Sequence, residues 1–248
     1  NHASGITGVS CRCFGGQELS QVGGSDVIVV TAGIARRPGM SRSDLIDVNK
    51  RVIHSTAETI RVSAPGAIVI VVTNPLDEMT LEMLKVTQFP RERVLGMAGT
   101  LDSSRFRNSL ANAAGVSPND VEAITLGSHG DEMTPIPSLA RIKGMPLERF
   151  LTENQIEVCV QDAVTGGGQL VALKKSGSAT IAPAHGILEI LDHIRGARVG
   201  PVPITVMMQG EYNIYNVVLG VPAHLGMSGL IEIVELNITS KERNNLHT

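Results

Sequence analysis

Two uninterrupted β-branched runs, "DVIVV" (Asp26 to Val30) and "AIVIVV" (Ala67 to Val72), constrain this chain more than any other feature. A strand with one wet face alternates apolar and polar residues. A continuous apolar run is a strand buried on both faces, the situation in a parallel sheet covered by helices. Between the runs, Leu45, Val48, Val52 and Ile60 recur at near-helical spacing. Ser41 or Ser43 is placed to cap that helix, and Pro65-Gly66 to end it. Strand, helix and strand make a βαβ unit. Pro75 opens a second helical pattern through Met79, Met83 and Val86. The run "VLGMAG" follows, and then a helix from about Leu101 to Ala114 stopped by Gly115. Residues 1–97 therefore read as part of a doubly wound α/β sheet.

The pattern changes after Gly115. "VEAITLGSHGDEMTPIPSLARIK" reads as two short extended runs joined by a Gly-rich turn. Helical stretches are expected over about Glu153 to Leu173 and Ser178 to Ile194. The runs "PVPITVMMQG", "IYNVVLGVPAHLG" and "LIEIVEL" then suit antiparallel strands with helices on one side. Residues 98–248 thus read as a mixed α+β unit. Hydrophobic residues at 42% and charged residues at 18% fit a globular protein with a core. A net charge of −3 and 2% aromatics argue against nucleic-acid or acidic-membrane partners. No apolar run approaches the ~20 residues that cross a bilayer. Cys11, Cys13 and Cys159 lack C-x-x-C spacing, which fits a reducing, cytoplasmic setting without structural metal.

Four short stretches carry residue types suited to chemistry. "GSHGDE" sets His129 in a turn flanked by glycines, where an exposed imidazole exchanges protons near neutral pH. A turn histidine without a role is the plain alternative. "GTLDSSRFR" puts Asp102 and Arg105 on one helix face. They form either an ordinary surface ion pair or two separate tools: Asp102 orienting His129, and Arg105 offering a planar fork to a carboxylate. "VVTNP" leaves the second strand at Asn74, outside the carboxyl end where doubly wound folds bind ligands. "TAGIARRPGMSR" crowds Arg36, Arg37 and Arg42 into one loop, which is either simply solvated, the reading preferred for Arg37, or the seat of an anion.

Together "TAGIARRPGMSRSDLIDVN", "VVTNPLD", "GTLDSSRFR", "GSHGDEM" and "GSAT" resemble the lactate/malate dehydrogenase family, nearest its NAD-dependent malate-specific branch. The resemblance covers nearly the whole chain, with the five motifs in order. It implies a partial Rossmann-type parallel sheet followed by a mixed α+β catalytic domain with antiparallel strands. It also implies hydride transfer between malate and NAD. His129 would be the general acid/base and Asp102 its orienting partner. Arg105 would hold the substrate's 1-carboxylate and Arg36 its second carboxylate. Arg42 would polarise the carbonyl, and Asn74 would touch substrate and cofactor. Asn49, Val72 and Thr73 would line the cofactor. Lactate-specific relatives usually carry an uncharged residue where Arg36 stands, so a small dicarboxylate is the expected substrate. A homodimer or homotetramer is also implied.

One family feature does not occur in the 248 residues: the G-x-G-x-x-G fingerprint, with its acidic residue about 20 positions on. "TGGGQ" (Thr165 to Gln169) lacks the spacing, and its glycines are expected to break or bend a helix. Relatives begin with a further strand-helix-strand segment of on the order of 50 residues, which carries that fingerprint. Three other readings compete: a lactate or other 2-hydroxy-acid dehydrogenase, a hydrolase with His129, Asp131 and Glu132 as metal ligands, and an inactive assembly subunit.

Overall fold

A computed structural model of the chain describes residues 8, 12–35, 40–174 and 179–246. Strand β1 (Val27–Val30) is followed by helix α1 (Arg42–Ser63), β2 (Ile68–Val71), α2 (Leu76–Thr87), β3 (Val94–Gly96) and α3 (Gly99–Ala114). The three strands are parallel and pair in the order β1-β2-β3. α1 starts where a capping box forms: the Ser41 hydroxyl accepts the Asp44 N–H at 3.0 Å, and the Ser41 N–H donates to the Asp44 carboxylate at 3.0 Å. Its buried stripe is Leu45, Asn49, Ile53, Ala57 and Ile60, spaced three to four residues apart, as one helix face requires. α3 stops at Gly115, whose φ of 65° is the left-handed conformation expected of a glycine cap.

Four short strands follow: β4 (Val121–Glu122), β5 (Thr125–Gly127), β6 (Met133–Pro135) and β7 (Arg141–Ile142), with β8 (Met145–Pro146) after them. The two extended runs expected from sequence are therefore broken into four pieces shared between two sheets. β4, β7 and β8 form a small antiparallel sheet, while β5 and β6 join the large one. Pro135 and Pro137 lack the N–H that would continue a ladder, which accounts for the break after β6. Helices α4 (Glu153–Lys174) and α5 (Ile181–Ile194) come next. Then come β9 (Val202–Gln209), β10 (Tyr215–Gly226), β11 (Gly229–Ile233) and α6 (Ser240–Leu246).

β9 lies antiparallel to β3, through Gly96 opposite Thr205, so the parallel and antiparallel strands form one mixed eight-stranded sheet. Gly96 lacks a side chain where a Cβ would sit 2.8 Å from the Thr205 side chain. One apolar cluster spans this seam, with Ile70 and Leu95 packed against Ile204, Val206 and Val221. Two sequence expectations need correction. β2 is buried at all four positions, but β1 is not: Val29 is 36% exposed. β1 ends the strand order among the described residues, and its Val27 and Val29 face is less covered than its Ile28 and Val30 face. Of the expected break or bend at Gly166 to Gly168, the break does not occur, because α4 runs through them.

Candidate active site

β5 ends at Gly127 and the chain turns through Ser128, His129 and Gly130. Gly127 has φ 92° and Gly130 φ 133°, values that side chains resist, so the glycines let this turn form. Three contacts fix it against the helices. The Thr125 N–H donates to the Ser103 hydroxyl at 3.0 Å, which holds β5 on α3. One residue before Ser103, Asp102 Oδ2 lies 2.8 Å from His129 Nδ1. The His129 backbone N–H donates to Asp77 Oδ2 at 2.8 Å, which ties the turn to the first turn of α2.

Asp102 has a second partner, Arg105, whose Nη1 donates to Oδ1 at 2.9 Å. The expectation of separate partners is therefore too simple, since one buried carboxylate serves both groups. A charge so buried needs such pairing. The Arg105 guanidinium also lies against α4. A Cβ on Gly167 would sit 3.3 Å from Arg105 Nη1, and one on Gly166 3.8 Å from its Cδ. The glycines of "TGGGQ" thus make room for an arginine.

Electrostatics tune the imidazole. Burial disfavours the charged ring, but the Asp102 hydrogen bond and the Asp102 and Asp77 charges outweigh that, and the His129 pKa is raised. Arg105 opposes the rise. Asp77 is pushed up to about 6, first by burial, against the lowering effect of the His129 N–H and charge. Its second oxygen, Oδ1, is buried with no hydrogen-bond partner among the described residues.

The carboxyl ends of β1 and β2 lie side by side. The Val72 N–H donates to the Val30 carbonyl at 2.9 Å, and the Thr73 hydroxyl to the Ala32 carbonyl at 2.7 Å. Asn49 stitches the two loops together: its Nδ2 donates to the Asn74 and Ile34 carbonyls at 2.6 and 3.1 Å, and its Oδ1 accepts the Ile34 N–H at 2.7 Å. Asn74 precedes a cis peptide to Pro75 and is exposed. Arg42, at the start of α1, pairs with Glu78 of α2 at 3.3 Å and is largely exposed. Arg36, Arg37, Pro38 and Gly39 lie outside the described residues.

A cavity of about 540 Å³ opens between α3 and α5, lined by Thr100, Leu101, Ser104, Thr180 and His185 among others. Leu101 precedes Arg105 by four residues and so shares a face of α3 with it. Sequence reasoning singled out His129, Asp102 and Arg105, which the fold brings together. It missed Asp77 and Glu78, because an acid in a helix's first turn reads as a complement to the dipole. Among the described residues, no three His, Cys, Asp or Glu side chains cluster to hold a metal ion, and no helix is long and apolar enough to cross a membrane.

Two sequence profiles match the chain. The lactate/malate dehydrogenase NAD binding domain matches residues 1–96, and the lactate/malate dehydrogenase alpha/beta C-terminal domain matches residues 99–248. A malate dehydrogenase from Heliobacterium modesticaldum is 39% identical over 97% of this chain and 78% of that protein. The solved malate dehydrogenase of Aeropyrum pernix superposes with a TM-score of 0.94 at 39% identity, over 99% of this chain and 80% of that one. The lactate dehydrogenase of Cryptosporidium parvum, solved with lactic acid and NAD, gives 0.94 at 34% identity, over 99% and 79%. Fold, site and matches define the class, an NAD-dependent α/β oxidoreductase. The chain belongs to the lactate/malate dehydrogenase family.

The residues present fit the reactive end of NAD. The paired strand ends leave the apolar Ile34 and the polar Asn74 exposed next to each other's backbone, with both loops braced by Asn49. That is an apolar surface with a polar edge, suited to a flat amide-bearing ring.

Proposed function

We propose that the chain interconverts malate and oxaloacetate, with residues 1–97 serving the cofactor and 98–248 the substrate. The buried Asp102–His129 contact at 2.8 Å is the observation that carries this reading. NAD, when bound, supplies or accepts the hydride. The chain's own residues orient the substrate and move the proton. Asp102 accepts from Nδ1–H and so leaves Nε2 to face the substrate. Protonated, His129 gives that proton to the carbonyl oxygen of oxaloacetate; neutral, it takes the hydroxyl proton of malate.

Arg105 offers its outer N–H groups to the 1-carboxylate while Nη1 stays on Asp102. Arg36 meets the second carboxylate. Arg42 leaves Glu78 to polarise the carbonyl, which stabilises the charge that develops there. Asn74 contacts substrate and cofactor, while Val72 and Thr73 lie along the nicotinamide. Asn49 acts on the cofactor through the two loops it ties. With both substrate ends held, the encounter becomes effectively unimolecular.

Names of relatives favour malate over lactate, and Arg36 gives the physical reason: facing pyruvate's methyl group it would be buried without a partner. The same reading makes the protein a cytoplasmic homodimer or homotetramer of the tricarboxylic acid cycle. The test compares oxaloacetate with pyruvate in NADH oxidation by the purified chain and its Arg36→Gln variant. The reading expects oxaloacetate to be preferred and the variant to lose that preference. An unchanged preference in the variant overturns the role of Arg36, and a wild-type preference for pyruvate overturns malate as substrate.

A further inference from the structure

His129 is held at two points. Asp102 takes its ring, and the Asp77 carboxylate takes its backbone N–H. Asp77 comes from a different element, in the first turn of α2, two residues after the cis Asn74-Pro75 bond. Its position costs stability. The carboxylate is mostly buried, it lies near the negative charges of Glu78 and Asp102, and Oδ1 finds no hydrogen-bond partner among the described residues. A residue kept only to tie down a turn would not need the charge, since an amide accepts the same N–H. The charge does have one favourable neighbour, because the Asp77 and His129 charges attract each other.

We propose that Asp77 is a positioning residue for proton transfer: it fixes the His129 turn through the backbone and, when ionised, supplies a second negative charge that favours the imidazolium. This rests on His129 being the proton-transferring group. The charged groups acting on His129 are Asp102 and Arg105 from α3 and Asp77 from α2, with Glu78 acting on Asp77 in turn. Asp131 and Glu132 of the same turn are exposed. Arg105 opposes the imidazolium and shares Asp102, so part of the charge on Asp102 is already engaged. Asp77 offsets that sharing. Each of the two groups acts on the other's charge, so they titrate as a coupled pair.

The experiment is an NMR titration of the full chain labelled at histidine Cε1, with His129 assigned by the signal lost in His129→Gln. In Asp77→Asn, which keeps an acceptor for the backbone N–H, the His129 pKa falls by about 0.5–1 unit. Asp77→Glu, which keeps the charge, restores most of the shift. The limb of the kcat/KM profile for oxaloacetate reduction moves down with it. A wild-type His129 pKa in Asp77→Asn overturns the proposal. Should that variant not fold, the wild-type chain labelled at aspartate carboxyl carbons decides. An Asp77 inflection near pH 6 mirrored in His129 supports coupling, and an ordinary carboxylate titration with no shared inflection overturns it. A shifted His129 in a chain that turns over neither oxaloacetate nor malate upholds Asp77 and defeats the functional reading. Normal turnover with an unshifted His129 upholds that reading and defeats Asp77.

Discussion

Arg105 and Gly167 are packed guanidinium against backbone: a Cβ at Gly167 would stand 3.3 Å from Nη1 and 3.4 Å from Nη2. The arginine that faces the proposed carboxylate is thus seated partly by the absence of a side chain on α4. Gly167→Ala should raise the helix's intrinsic stability by up to about 1 kcal/mol, since alanine loses less backbone entropy in a helix. The flexible guanidinium yields by a few tenths of an ångström, so thermal unfolding should shift up or stay level. Carboxylate binding should suffer instead, seen as a KM for oxaloacetate raised several-fold with kcat less affected. Steady-state kinetics beside a melting curve check both halves.

The direction of the His129 shift sets opposite pH profiles for the two reaction directions. Its pKa is raised above 6.5, so the imidazolium persists to higher pH than for a free histidine. Oxaloacetate reduction needs the protonated ring and should decline as pH rises through that pKa. Malate oxidation needs the neutral ring and should grow over the same interval. Initial rates in both directions over a shared pH series test this. Parallel profiles would contradict it.

Asp77 makes a stability prediction of definite sign. Its folded pKa is raised from 3.8 to about 6. The associated stability is fully present below pH 3.8 and is lost as pH rises through about 6. Relative to Asp77→Asn, the wild-type chain should lose about 1–3 kcal/mol between those limits. Urea unfolding of both proteins at acid and neutral pH measures the difference.

Glu211 shows the reverse case. Burial would raise its pKa, but Arg91 and the Gln209 N–H outweigh burial and lower it from 4.5 to about 2. Arg91 holds it through two contacts, Nη2 to Oε1 at 2.8 Å and Nη1 to Oε2 at 3.3 Å. The stability this contributes is present above pH 4.5 and is lost as pH falls toward 2. Arg91→Ala should cost about 1–3 kcal/mol near neutral pH and flatten the acid limb of the stability curve. Because the pair joins the approach to β3 with the β9–β10 turn, the loss should appear as global destabilisation in denaturant melts.

What the sequence revealed follows from which interactions are local. The β1-α1-β2 unit and α3 were legible because the strands are continuous apolar runs, because a buried helix face recurs every 3.6 residues, and because Ser41 and Gly115 mark helix ends chemically. His129 stood out because glycines on either side of an imidazole announce a tight turn. The exposure of Val29 was hidden, since a β-branched run reads the same at a sheet's edge as at its centre. The shared use of Asp102 was hidden because i,i+3 spacing says that Arg105 is near, not that it competes with His129. Asp77 is separated from His129 by 52 positions in the chain and Arg105 from Gly167 by 62; only folding brings such pairs together.

Proton transfer by an aspartate-braced His129 is the centre of this account, and replacing that one ring tests it most directly. In oxaloacetate-dependent NADH oxidation by the purified chain, His129→Ala should lower kcat by at least ~100-fold, the scale of a lost general acid. NADH binding measured by fluorescence should stay near the wild-type value. Turnover within a few-fold of wild type would contradict the assignment of His129 and, with it, the mechanism built around Asp102.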